Sequence, residues 1–246
     1  MSVKSPEELD ALRAAGRVVA QTIRTMRRAV RAGITTGELD AIAKREFARA
    51  GARSGPQLDY GFPGTTCISV NDEAVHGIPG KRVLRRGDLV KLDVTAELDG
   101  FYADACRTVA VGDARPQALK LVRTAEQALG AALKTVRTGV PLNEIGAAVQ
   151  RVVHAHGFSV CDGLMGHGIG RRIHEAPNVP NHFDARLSQP LGEGLVITIE
   201  PLVAIGGPHV RMGRDGWTVR TADSSWSAHA EHTIVVRENG PVVLTA

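Results

Sequence analysis

The sequence predicts an α+β fold made of two like halves, and three observations carry that prediction. First, Val30-Arg31-Ala32-Gly33-Ile34 matches Val136-Arg137-Thr138-Gly139-Val140, and one gap-free register also pairs Glu38 with Glu144, Leu39 with Ile145, Ala41 with Ala147, Arg45 with Arg151 and Gly51 with Gly157. Second, each half reads as helix, turn, helix and then short strands, the mark of a duplicated supersecondary unit. Third, Gly87-Asp88-Leu89-Val90-Lys91-Leu92-Asp93 resembles Gly194-Leu195-Val196-Ile197-Thr198-Ile199-Glu200: Gly opens each run, apolar residues fill its third, fourth and sixth places, and a carboxylate closes it. An acid at the end of an apolar strand is poorly placed for a solvated surface, because burying an unpaired charge is costly. A cation removes that cost.

In chain order, Ser5-Pro6-Glu7-Glu8 is a capping box with Pro at the first helical position, opening a helix that runs toward Gly33. Thr35 with Glu38 caps a second helix ending near Gly51. Residues 115–139 and 141–157 repeat the pair. Strands are expected at 66–70, 88–95, 101–111, 158–162, 194–206, 215–222 and 231–237, from β-branched content and flanking Gly, Asp or Asn. Leu98-Asp99-Gly100-Phe101 reads as a hairpin turn, which lets Asp93 and Asp104 face each other across it. His76-Gly77-Ile78-Pro79 also echoes His167-Gly168-Ile169-Gly170.

Composition narrows the classes. Hydrophobic residues at 43% and charged residues at 23% are ordinary for a globular protein and argue against wholesale disorder. The net charge is +4 without a dense basic block, and aromatics are only 4%, so neither specific nucleic-acid recognition nor a base-stacking platform is expected. The mild positive charge leaves room for transient attraction to an anionic surface such as a ribosome. Cys67, Cys106 and Cys161 form no CxxC pair, so neither a disulfide framework nor a structural zinc site is expected. The N-terminal residues contain acids and no apolar core, unlike a signal peptide, and no apolar run reaches the about eighteen residues that a membrane span needs. A reduced, cytoplasmic setting is expected, and nothing demands more than a monomer.

Asp93, Asp104, His167, Glu200 and Glu231 form the candidate metal set. Hard oxygens with one imidazole suit several divalent ions, and four carboxylates exceed what one ion needs. The set fits a pair of ions about 3.5–4 Å apart, as in two-metal hydrolases. Any one of these acids alone reads as a solvated strand end; five in duplicated contexts do not. Competing motifs fail. Gly166-His167-Gly168-Ile169-Gly170 lacks the full dinucleotide fingerprint, and its glycines more simply let backbone and substrate approach the imidazole. His174-Glu175 is not followed by His at 178, Pro177 and Pro180 oppose a helix there, and no G-x-S-x-G is present. His76 and His174 match no metal spacing, yet both lie in Gly- or Pro-bearing loops beside the candidate ligands.

Taken together, His76-Gly-Ile-Pro, Lys91-Leu-Asp93-Val, Gly100-Phe-Tyr-Ala-Asp104, Gly166-His167-Gly-Ile-Gly, Thr198-Ile-Glu200-Pro and Glu231-His-Thr-Ile-Val resemble a type I methionine aminopeptidase along essentially the whole chain. The resemblance implies the pita-bread fold: one catalytic domain over 1–246, with halves of about 1–112 and 113–246, pseudo-twofold symmetry and a central antiparallel sheet. The short stretch between Glu200 and Glu231 excludes the helical insertion of type II enzymes, and prolidase-like relatives carry a further large domain.

The resemblance also implies roles. Asp93 would chelate one of two divalent ions (Co, Mn, Fe, Zn or Ni), Asp104 and Glu231 would bridge the pair, and His167 and Glu200 would hold the other. Glu200 would act as general base toward a water activated between the ions. His174 would bond the carbonyl oxygen as it becomes an oxyanion, and His76 the scissile amide nitrogen. Tyr60, Phe62, Cys67 and Trp217 would wall the methionine pocket, with His76 and Ile173 nearby. Asp59, Pro56 and Ile173 depart from the aromatic or Cys residues of some relatives. The implied reaction is removal of N-terminal methionine from nascent chains whose second residue is small and uncharged. Cleavage before proline, and a binding module that has lost catalysis, are the competing readings; a module would tolerate missing ligands, whereas all five are present.

Overall fold

In the computed structural model, which describes residues 1–246, helix α1 (Pro6–Ala29) begins where Ser5 Oγ accepts the Glu8 amide at 3.3 Å. It buries the stripe Leu12, Ala15, Val19, Ile23 and Met26. In α2 (Thr36–Ala50), Thr35 Oγ1 accepts the Glu38 amide at 3.1 Å while Glu38 accepts the Thr35 amide at 2.8 Å, as the capping box predicts. A two-residue strand β1 (Arg53–Ser54) and a short helix α3 (Gly55–Tyr60) lead to β2 (Cys67–Val70), β3 (Glu73–Val75), and the long hairpin β4 (Leu89–Leu98) and β5 (Phe101–Ala110). Helices α4 (Pro116–Thr135) and α5 (Asn143–Ala155) open the second half. Strands β6 (Ser159–Val160), β7 (Met165–Gly168), β8 (Glu175–Pro180), β9 (Val196–Ile199), β10 (Leu202–Ala204), β11 (Val210–Met212), β12 (Val219–Thr221), β13 (Ser227–His229), β14 (His232–Val235) and β15 (Val242–Val243) complete it.

The duplication is structural. Gly33 and Gly139 both take positive φ (91° and 85°), and each donates to a leucine carbonyl, Leu84 at 2.9 Å and Leu191 at 2.8 Å. Those leucines return bonds at 2.8 Å to Ile34 and Val140. This turn explains why α1 and α4 end before the glycines where the sequence places their ends. Val30 and Val136 are already extended, so that the chain can reach the turn. Ahead of the matched runs, Gly87 and Gly194 donate to Val111 and Val236 at 2.7 and 2.9 Å, making β4 and β9 equivalent strands. The echo between His76 and His167 is not part of this symmetry. His167 lies in β7, which borders β9 as β2 borders β4, whereas His76 follows β3.

Antiparallel pairing sets which side chains meet. Strand β4 pairs with β5 on one edge and with β2 and β1 on the other. The β4–β5 turn has Asp99 and Gly100 at φ 51° and 83°, a primed hairpin turn. Its register puts Cys106 opposite Asp93 and Thr95 opposite Asp104. The two acids therefore share a face but lie diagonally, not directly opposed as the hairpin alone suggested. On the other face, Leu92, Val94 and Ala103 pack with Val19 and Phe47 beneath α1 and α2. In the second half β14 pairs β9, and Ile197, Ile199 and Ile234 pack against Leu121 and Ile145 of α4 and α5. Alternation along the strands thus sends aliphatic groups to the helices and polar groups to the opposite face.

The single strand expected over 194–206 is two strands in two sheets: β9 pairs β14 and β7, whereas β10 pairs β13 and β6. Pro201, lacking an N–H, interrupts the ladder directly after Glu200. Residues Ala230 and Glu231 make the matching step between β13 and β14. The strands expected at 158–162, 215–222 and 231–237 shrink to β6, β12 and β14. The halves are joined along β5. The Asp104 amide donates to Thr233 Oγ1 at 2.8 Å, the Glu231 amide to Cys106 O at 3.0 Å, and Thr108 Oγ1 to His229 O at 2.8 Å. Lys91, 1% exposed, adds a second tie, donating to Asn71 O at 2.7 Å and Ser227 O at 2.9 Å.

Two glycines distinguish backbone approach from simple flexibility. A Cβ on Gly168 would lie 2.2 Å from Ala176 O, whereas one on Gly130 within α4 meets nothing inside 4 Å. Gly168→Ala is expected to cost about 1–3 kcal/mol of unfolding free energy by overpacking. Gly130→Ala is expected to add about 0.5–1 kcal/mol by helix propensity. Urea denaturation of both variants checks the opposite signs.

Candidate metal centre

Asp93 in β4, Asp104 in β5, His167 in β7, Glu200 after β9 and Glu231 before β14 all line one cavity of ≈ 360 Å³. Ligand atoms of Asp104, His167 and Glu231 lie within 4.8 Å of one another. Glu200 Oε1 is 3.6 Å from His167 Nε2, and Asp93 lies beside Asp104. Two of the four acids are aimed by a threonine. Thr95 Oγ1 donates to Asp104 Oδ2 at 2.8 Å, and Thr198 Oγ1 donates to Glu200 Oε1 at 2.9 Å. Thr198 Oγ1 also accepts the His167 amide at 2.9 Å. His167 Nδ1 lies 2.8 Å from the Gly168 carbonyl, so it carries the proton and Nε2 turns a lone pair toward the cavity. Gly166 and Gly168 serve the packing of β7 more than access to the ring: a Cβ at Gly166 would lie 2.4 Å from Thr198 O.

No lysine or arginine forms an ion pair with any of these four carboxylates. Burial pushes Asp104 up to about 6, an effect that the hydrogen bonds from Thr95 and Asp93 oppose. Asp93, Glu200 and Glu231 are raised well above the usual carboxylate range, first by burial and then by the charge of Asp104 and one another. Burial holds His167 down at about 3, leaving a neutral ring. Asp104 Oδ1 is buried with no hydrogen-bond partner. Crowded acids, a neutral imidazole with a free lone pair and an orphaned carboxylate oxygen are donor chemistry that a divalent cation fits.

The other singled-out residues stand around the same cavity. His174 lies against His167 with ring centroids 4.1 Å apart and planes tilted by 56°, and Tyr60 Oη lies 2.6 Å from His174 Nδ1. His76 follows β3 in the left-handed conformation, φ 56°. Phe62 and Trp217 meet edge to face with centroids 5.2 Å apart, and Cys67, opposite Asp93 in β2, is 5% exposed. Ile173 and Pro56 complete the apolar wall. Asp59 instead bonds outward, accepting from Tyr102 Oη at 2.9 Å and the Ile173 amide at 3.2 Å.

Sequence reasoning missed Thr95, Thr198 and His229, which also border the site. For Thr95 and Thr198 the signal was available: each lies two residues from a candidate acid (Asp93, Glu200) along a strand, a spacing that means the same face, whereas His229 is separated from Glu231 by the step between β13 and β14.

Comparison with known proteins follows the same lines. Residues 10–238 match the model of metallopeptidase family M24. The methionine aminopeptidase of Staphylococcus epidermidis is 44% identical over 100% of this chain and 98% of its own length. Crystal structures of methionine aminopeptidases from Rickettsia prowazekii and Thermotoga maritima superpose at a TM-score of 0.96, with 34% and 36% identity. Each covers all of this chain, and the chain covers 100% and 99% of theirs.

The raised carboxylates give a pH signature with a definite sign. In metal-free protein they bind more protons folded than unfolded between about pH 4 and their folded values. Stability therefore falls as pH rises through about 6, where Asp104 titrates, and beyond for the other three. Divalent cation reverses this, because it binds the ionised site. Below about pH 6.5 the buried neutral His167 opposes this trend, because the unfolded ring takes up a proton there. Calorimetry is therefore expected to give a chelated protein more stable at pH 6.5 than at pH 8, and a larger metal-induced rise in Tm at the higher pH.

Proposed function

Because the chain belongs to metallopeptidase family M24, we propose that it is a metal-dependent aminopeptidase removing N-terminal methionine from polypeptides with a small, uncharged second residue. The observation that carries this is the convergence of Asp93, Asp104, His167, Glu200 and Glu231 on one cavity that is also walled by the apolar Phe62, Ile173 and Trp217. These five would hold two divalent ions, since four carboxylates compensate two dications better than one. The oxygen-rich set accepts Co, Mn, Fe, Zn or Ni. Bound divalent ions acidify a water and polarise the scissile carbonyl.

The chain's own groups do the rest. Glu200 takes the proton from the attacking water, with Thr198 holding its Oε1 in place. Tyr60 Oη lies 2.6 Å from His174 Nδ1, and in this reading the phenol is the donor. That bond leaves the His174 proton on Nε2, where it meets the carbonyl oxygen as negative charge develops. His76 bonds the scissile amide nitrogen. Phe62, Trp217, Tyr60 and Cys67 enclose the methionine side chain, and a cysteine sulfur against a thioether is an apt soft contact. The substrate amine lies near Asp93, which restricts turnover to unblocked termini.

No helix is long and apolar enough to cross a membrane, and all three cysteines are free and buried. From the resemblance to methionine aminopeptidases, we place the activity in the cytoplasm, on a monomer that meets nascent chains, with transient ribosome contact favoured by the net charge of +4.

Titrating chelated protein with each of the five metals, assayed on a Met-Ala-Ser peptide, tests the reading. Turnover is expected with at least one, and preference for Xaa-Pro peptides overturns it. Asp104→Ala and Glu231→Ala are expected to abolish turnover with the circular-dichroism spectrum retained. His174→Ala is expected to lower kcat about 10²–10³-fold with metal uptake unchanged; full turnover in that variant removes its oxyanion role.

A further inference from the structure

His229 is 2% exposed, yet neither of its ring nitrogens has a hydrogen-bond partner. The other buried histidines are satisfied: His167 Nδ1 bonds Gly168 O, and His232 bonds Thr245 Oγ1 and Arg107. The backbone that carries the His229 ring is fixed in place. Its amide and carbonyl both bond Thr108 Oγ1 at 2.8 Å, and β13 pairs its backbone with Leu202. The ring is thereby held at the wall of the cavity that contains the five acids and imidazole.

Its aim is specific. Nε2 lies 3.7 Å from Glu200 Oε2 and 3.7 Å from Glu231 Oε2. That is too long for a hydrogen bond. Two donors on one ion, with bonds of about 2.1 Å, stand roughly 3.0 Å apart when adjacent and roughly 4.2 Å when opposite. The 3.7 Å spacing falls inside that range, as does the 3.6 Å between His167 Nε2 and Glu200 Oε1.

We propose that His229 is a further nitrogen donor to the metal centre, making a set of four carboxylates and two imidazoles. The proposal rests on the metallo-aminopeptidase reading above. A second imidazole shifts the donor set toward nitrogen, which favours Co, Ni and Zn over Mn.

The test counts imidazoles bound to the metal. In Co(II)-loaded protein with ¹⁵N-labelled histidine, hyperfine-shifted exchangeable N–H proton resonances are expected from two rings, falling to one in His229→Gln. Calorimetric titration is expected to show Co(II) affinity falling about tenfold or more in His229→Gln, with a smaller loss for Mn(II). One ring resonance in the unmutated protein overturns the proposal, as does unchanged Co(II) affinity in a folded variant. If the Gln variant does not fold, the count in the unmutated protein decides alone. Turnover of Met-Ala-Ser with a single ring resonance sinks only His229; absence of both Co(II) uptake and turnover sinks the underlying reading.

Discussion

Four carboxyl groups share one cavity with no lysine or arginine ion-paired to them, and much of the architecture is arranged around that charge. In a low-dielectric pocket, ionised acids repel one another and forfeit hydration, so they protonate unless a cation is present. The protein does little to relieve this. It supplies a hydroxyl to Asp104 and another to Glu200, and leaves Asp104 Oδ1 without any partner. Folding therefore stores an electrostatic demand that divalent metal meets, and metal binding and stability become linked.

The duplicated fold brings the acids together. Equivalent strands β4 and β9 deliver Asp93 and Glu200, and their partners β5 and β14 lie side by side where the halves meet. Symmetry is incomplete where chemistry requires it. The residue opposite Asp93 is Cys106, whereas Glu231 stands in the corresponding place beside Glu200, and Asp104 enters from the next position along β5. Aliphatic faces held by α1, α2, α4 and α5 give the acid-bearing face a rigid support, as a constellation needing sub-ångström placement demands.

Threonines anchor this arrangement. Thr198 bonds both the Glu200 carboxylate and the His167 amide, and Thr233 clasps both backbone groups of Asp104. One hydroxyl, acting as donor and acceptor together, fixes two strands at once. These bonds tie the ligand positions to the sheet, so the geometry of the centre is inherited from the ladder registers.

Much was legible in the residues themselves. The register linking Gly33 with Gly139, the Thr35–Glu38 capping box, and the Gly-to-acid runs ending at Asp93 and Glu200 made the duplicated α+β plan and the five candidate donors legible, because local turn chemistry and strand periodicity are written in neighbouring residues; at the first helix Ser5 caps as expected, but Glu8 reaches back to the Lys4 amide rather than to Ser5. Tertiary structure alone decided the rest. That Asp93 and Asp104 sit diagonally, that the chain changes sheets at Glu200-Pro201, and that His229 points unpartnered between two acids all depend on pairings between distant strands. Short elements such as β3, β7 and β13 carry too few residues to declare a period; they exist because a neighbouring backbone completes their hydrogen bonds.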